Sequence, residues 1–269
     1  MSPDIEARLT AGELDAAIEL MNAQVRAKPT DTQARAELVE LLCIAGDIDR
    51  ADRLLEAIES IDTSVAVGVG MIRQLLRAEQ ARKQFYAEGR APEFLAAPDR
   101  LLTLELKGAT LLREGDAAAA AACVAERDEA RAELAGKAGG AAFDDFRDLD
   151  DLCAAHLEVL TSNGKYFWVP LTSVLTIEFR KPERRRDLLW RRAHLSVVGG
   201  PDGEVFLPAI YEAAGSTGPQ RLGLETDFGG VEGGPLLGLG LRSFLVGDDV
   251  KTILELGEIE FTAAAATSG

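Results

Sequence analysis

Apolar positions in the first half of the chain fall on helical stripes. Leu14, Ala17, Ile18, Met21 and Val25 recur at i, i+3, i+4, i+7 and i+11, which places them on one face of a helix. Leu38, Leu41, Leu42 and Ala45 form a second stripe. Ile48, Ala51, Leu54, Leu55 and Ile58 form a third, antiparallel to it. The pattern predicts a further helix pair over Val65 to Phe85, joined irregularly through Gly89 to Pro92, and another from about Asp99 to Leu134.

The stripes are punctuated by a repeat. Gly12-Glu-Leu-Asp-Ala-Ala17 returns 34 residues later as Gly46-Asp-Ile-Asp-Arg-Ala51, and 69 residues beyond that, degraded, as Gly115-Asp-Ala-Ala-Ala-Ala120. A 34-residue helix–turn–helix period is the tetratricopeptide signature. Glycine suits the turn between paired helices, and the alanine five positions on lets them approach closely. Pro29 falls where the second helix should stop. Any antiparallel hairpin array would show the same stripes, so both readings stay open. Either is a stacked scaffold suited to binding peptides on a concave surface.

The character changes after residue 135. Residues 136–142 are small and glycine-rich, the composition of a linker. Phe143, Phe146, Leu149, Leu152 and His156 or Leu157 recur at helical spacing from an acidic start, which predicts an amphipathic helix near Asp144 with a solvated acidic face. Asp144, Asp145, Asp148, Asp150 and Asp151 lack the glycine and terminal glutamate of a calcium-binding EF-hand loop. From Lys165 onward β signals dominate. Strands are predicted at 166–169, 173–179, 194–198 and 204–207, with the turn cluster Gly199 to Gly203 making a hairpin of the last two. Further strands are expected at 221–224, 240–246 and 258–261, and a loop or tight turns over Gly229 to Gly240. The fold class is therefore α+β. A tetratricopeptide-like helical region occupies residues 1–135, a linker 136–142, a mixed β-rich domain 143–261 and a flexible tail 262–269.

Charge narrows the function. Acidic residues outnumber basic ones 45 to 29, for a net charge of −16, which argues against a protein built to grip nucleic acid or an anionic membrane. Cys43, Cys123 and Cys153 are odd in number and far apart. They suggest neither a zinc site nor a disulfide framework, and fit a reducing compartment. The first residues carry no apolar signal region, and the longest apolar run, Ala117 to Ala125, is too short to span a bilayer. The expectation is a soluble cytoplasmic protein. His156 and His194, the only histidines, sit in no nucleophile or metal motif, and no P-loop or GxSxG pattern occurs. No catalytic residue, cofactor or metal is assigned.

One segment stands against the acidic background. Arg180 to Arg192 holds seven basic residues in 13 positions. Arginine beside tryptophan is common at binding hot spots. Arg184, Arg185, Arg186, Trp190, Arg191 and Arg192 are the candidate partner-binding residues. The alternative is that these arginines pair with the acidic surface of their own chain.

An ordered series of motifs in the second half is more specific. It runs through Phe143-Asp-Asp-Phe-Arg-Asp148, Leu157-Glu-Val-Leu160, Gly164-Lys-Tyr-Phe-Trp-Val-Pro170, Arg186-Asp-Leu-Leu-Trp-Arg191 and Gly203-Glu-Val-Phe-Leu-Pro-Ala-Ile-Tyr211. Arg221-Leu-Gly223, Thr226-Asp227 and Gly240-Leu-Arg-Ser-Phe-Leu-Val-Gly-Asp248 extend it. The series resembles the ImpE family, also called SciE or TagJ, of bacterial type VI secretion accessory proteins. The resemblance covers essentially the whole chain. It implies a non-enzymatic cytoplasmic factor of the contractile sheath, which binds the N-terminal helix of the small sheath subunit and is linked to the AAA+ ATPase that recycles contracted sheath. It transfers no catalytic or partner-contact residue. An enzyme or nucleotide binder with an unrecognised site in the C-terminal half remains the alternative function, and the oligomeric state is left open.

Overall fold

The helical hairpins of the first half share one turn chemistry. The computed structural model describes residues 1–262. Helices α1 (Pro3–Thr10) and α2 (Leu14–Ala27), α3 (Thr32–Ala45) and α4 (Ile48–Ile61), and α6 (Arg100–Arg113) and α7 (Ala117–Ala130) are three hairpins. Gly12, Gly46 and Gly115 all take positive φ, at 77°, 79° and 88°. Each turn closes in the same way: the N–H of the following residue returns to the carbonyl of Arg8, Leu42 or Leu111. Asp47 and Asp116 then cap the next helix through Arg50 N and Ala119 N. Ala17, Ala51 and Ala120, the small residues of the motif, are fully buried.

The expected third hairpin is one helix. Helix α5 (Ala66–Glu88) runs unbroken for 23 residues. Gly68 and Gly70 lie within it on open surface, where a Cβ at either would meet nothing within 4 Å.

The second half is an antiparallel assembly. An eight-stranded sheet has the order β2-β1-β13-β6-β7-β8-β4-β5. Its strands are β1 (Gly136–Ala138), β2 (Ala141–Phe143), β4 (His156–Leu160), β5 (Tyr166–Pro170), β6 (Val174–Phe179), β7 (Trp190–Val197), β8 (Asp202–Pro208) and β13 (Glu258–Phe261). A three-stranded sheet joins β3 (Phe146–Asp148), β11 (Ser243–Val246) and β12 (Asp249–Thr252), and β9 (Thr226–Gly229) pairs with β10 (Leu237–Gly240). The hairpin of β7 and β8 keeps the expected register, with Ser196 opposite Asp202. Buried apolar side chains form one continuous cluster from Ile5 in α1 to Phe261 in β13.

Four sequence expectations fail locally. Residues 136–142 are not a free linker: they supply most of the β1–β2 hairpin, which pairs with β13. No helix starts near Asp144. Phe143 and Phe146 belong to separate strands, and the aspartates terminate turns: Asp148 accepts from Asp150 N and Asp150 from Leu152 N. The expected strand at 221–224 is replaced by a helical turn, α8 (Gly218–Arg221). It is set by a reciprocal cap in which Thr217 Oγ1 accepts from Gln220 N and Gln220 Oε1 accepts from Thr217 N. The glycine-rich stretch 229–240 contributes the ends of the β9–β10 hairpin. Of the expected tail 262–269, Thr262 donates to the Ala135 carbonyl, and residues 263–269 lie outside the described residues.

Candidate functional site

Helix α5 lies against the sheet and carries charge into the contact. Glu79, Arg82 and Tyr86 are spaced three and four apart, so they share one helix face, with Glu79 and Arg82 buried and Tyr86 half-buried. Arg82 donates from Nε and Nη2 to the two oxygens of Glu158 on β4, at 3.0 and 3.1 Å, and from Nη2 to the Ile210 carbonyl at 3.1 Å. Its Nη1 donates to Glu79 at 3.2 Å. Arg242, between β10 and β11, reaches Glu158 from the other side and donates to Asp148 at 3.1 Å. Tyr86 and Tyr166 donate to Glu158 as well, at 3.1 and 2.5 Å. One buried carboxylate thus accepts from five donors.

Electrostatics explains why this is tolerated. Burial pushes the Glu158 carboxyl up, but the guanidiniums of Arg82 and Arg242 outweigh it and hold it well below the usual carboxylate range. Burial would likewise lower Arg82 and Arg242, and their carboxylate partners keep both charged. Three side chains at the periphery are also bonded. Trp168 Nε1 donates to Tyr166 Oη at 2.6 Å, Trp190 Nε1 to Glu79 at 3.0 Å, and Tyr211 Oη to Asp148 at 2.7 Å. Isolated charges at this depth would be prohibitively costly, so the set is stable only as a whole.

A second buried group joins α6 and α7 to β4. Glu105 accepts from Arg127 Nη1 at 2.8 Å and from Ala155 N at 2.7 Å, and its other oxygen lies 2.6 Å from His156 Nδ1. His156 stacks on Trp168 with centroids 3.7 Å apart. His156 is therefore part of the joint between helices and sheet. His194 is half-buried on the opposite edge of β7, bonded to Asp202 at 2.6 Å. All three cysteines are buried, and burial pushes the Cys43 and Cys153 thiols up, which makes them poor nucleophiles. The aspartates near 144–151 act as structural acceptors: Asp145 holds Arg131 and Leu134 N, Asp150 holds Gly238 N, and Asp151 holds Leu236 N.

The arginine segment divides into three. Trp190 and Arg191 are buried, so neither presents a binding surface. Arg185 pairs with Glu6 of α1 at 2.8 Å and Arg186 with Glu40 of α3 at 3.5 Å. These contacts fasten the segment to the helices, which is the intramolecular alternative. Arg184 and Arg192 are exposed. They line a cleft of about 320 Å³ with Arg180, Lys181 and Arg186, between α5 and the β7–β8 hairpin. The Arg186 guanidinium is lowered by burial and then by the charge of Arg184, a sign of crowded positive charge.

The charged residues at the joint escaped sequence reading. Their only signal was a charge inside an apolar run, as at Glu158 in His156-Leu-Glu-Val-Leu160 and Arg242 in Gly240-Leu-Arg-Ser-Phe-Leu-Val246.

Fold and site together define a helical-hairpin array locked to an antiparallel sheet by buried ion pairs. A family model described as ImpE protein matches residues 140–260. The chain is 29% identical over 258 residues, 95% of its length and 90% of the relative's, to the type VI secretion system accessory component TagJ of Pseudomonas aeruginosa. A crystal structure of a Vibrio parahaemolyticus protein superposes with a TM-score of 0.89 at 30% identity, covering 96% of this chain and 97% of that one. The chain thus matches the ImpE family over residues 140–260 and is similar to a type VI secretion accessory component over nearly its whole length.

Proposed function

We propose that this chain is a cytoplasmic, non-enzymatic accessory protein of the type VI secretion system that binds the N-terminal helix of the small sheath subunit. In this reading it also brings that subunit to the AAA+ ATPase that recycles contracted sheath. The observation that carries it is likeness along nearly the whole chain to a type VI accessory component, rather than to one shared domain. The architecture supports it. The helical half holds three hairpins and the long helix α5, a stack of the kind that can receive a peptide. Residues 143–261 brace that stack through the Glu158 and Glu105 ion groups. The carboxylates of both groups are each held by several donors of this chain, which favours a structural role for them. No helix among the described residues is long and apolar enough to cross a membrane.

The test is a titration with a labelled peptide of the small sheath subunit's N-terminal segment, at two salt concentrations. Saturable binding is expected. A folded protein that binds neither this peptide nor the intact sheath subunit overturns the reading.

A further inference from the structure

The cleft beside α5 concentrates positive charge in a chain whose net charge is −16. Five basic side chains line it, against the carboxylates of Glu183, Asp187 and Glu204. The internal ion pairs do not use them up. Arg180 pairs with Glu178 and shares Glu204 with Arg192, and Arg186 turns away to Glu40. Lys181 and Arg184, both exposed, form no ion pair among the described residues. One wall of the cleft is apolar. Met71 of α5 lines it, and Val67 one turn earlier on the same helix face is 88% exposed. The backbone between them is bare, since Gly68 and Gly70 border open space.

We propose that this cleft takes an acidic peptide segment of a partner protein, with side-chain carboxylates on Lys181, Arg184 and Arg192 and an apolar residue on Met71 and Val67. The proposal deepens the adaptor reading in supposing a protein partner, but the chemistry of the cleft stands by itself. Charge complementarity selects the occupant. A phosphate group would bring two negative charges against Glu183, Asp187 and Glu204. A carboxylate brings one, and neighbouring apolar residues of the same segment cover the wall that a nucleotide phosphate would leave wet. Lys181 and Arg184 gain counter-charges that this chain does not give them, and Arg192 adds to its shared one.

The experiment uses the full chain and two probes: a labelled 16-residue peptide of glutamate and leucine, and the intact small sheath subunit. Variants are Lys181→Glu with Arg184→Glu, and Met71→Ser, each checked for an unchanged unfolding midpoint. The acidic peptide should bind the parent protein, weaken as salt rises, and lose about tenfold or more in affinity on charge reversal. Met71→Ser should weaken it several-fold without changing the salt slope. Failure of the acidic peptide to bind, equal binding by the charge-reversed variant, or displacement by adenosine triphosphate at lower concentration than by free peptide would overturn the proposal. Sheath subunit bound equally by parent and charge-reversed protein would overturn this surface and leave the adaptor reading standing. Acidic peptide bound in the expected way, while the sheath subunit binds neither form, would support the surface and overturn the adaptor reading.

Discussion

Arg82 of α5 and Glu158 of β4 meet as a two-pronged ion pair, at 3.0 and 3.1 Å, with both side chains sealed from water. They are 76 residues apart in sequence, and their contact fixes the rotation of α5 on the sheet. Because Arg242 and two tyrosines share the same carboxylate, the pair is the centre of a group rather than an isolated bridge.

Removing that centre should be severe. Glu158→Gln leaves Arg82 and Arg242 buried without their shared counter-charge, and a loss of about 3–5 kcal/mol is expected. Urea unfolding at neutral pH measures it.

Asp150 should give stability an unusual pH slope. Burial first, and then the charge of Asp148, push its carboxyl up to about 7. A carboxyl raised in the folded state prefers its proton there, so its contribution is full below the unfolded value near 3.8 and is lost as pH rises toward 7. Glu158, held low, acts in the opposite sense: its contribution is present at neutral pH and lost as acid protonates it. The difference in unfolding free energy between parent protein and Asp150→Asn, followed from pH 4 to 8, should therefore fall with rising pH and level off above 7. A difference independent of pH would refute the assignment.

Two turn glycines predict unequal costs. A Cβ on Gly115 meets nothing within 4 Å, so Gly115→Ala should cost only the left-handed backbone, about 1–2 kcal/mol. A Cβ on Gly12 would come within 2.5 Å of Pro219 Cγ, because α8 packs on this turn. Gly12→Ala should cost clearly more, and thermal unfolding of the two variants side by side decides it.

Arg191 predicts a gain. Its Nε and Nη1 are buried and lack hydrogen-bond partners, and burial lowers its guanidinium. Arg191→Met keeps most of the volume and removes an uncompensated charge, so stability should rise by about 1–3 kcal/mol. Denaturant titration of the variant measures the shift, with an unchanged slope confirming the same fold.

The hairpins were legible because local physics makes them. The glycine of each turn needs positive φ, and the alanine five residues on sits where two helices touch, so Gly46 and Ala51 announce the motif without reference to the rest of the chain. The β7–β8 hairpin was legible for the same reason, from its glycine cluster and alternating flanks. Phe143, Phe146 and Leu152 misled because an interval of three residues between short strands and a turn imitates a helical stripe. The acidic residues among them looked solvated and instead cap turn N–H groups. Residues 136–142 looked like a linker, since the hairpin they help to form is joined to the sheet only by β1 pairing with β13, more than 120 residues away.

The candidate site divides along the same line. Its basic character was written in residues 180–192, but which of those residues face solvent was decided by α1, α3 and α5, which take Arg185, Arg186 and Trp190 for themselves. Residue type alone thus determined the repeat turns, the α+β division and the concentration of positive charge, each of which depends on near neighbours. The tertiary structure decided the burial of Arg82, Glu158 and Arg242 and the opening of the cleft. A charge becomes tolerable in a core, or free at a surface, only through partners that the chain brings from a distance.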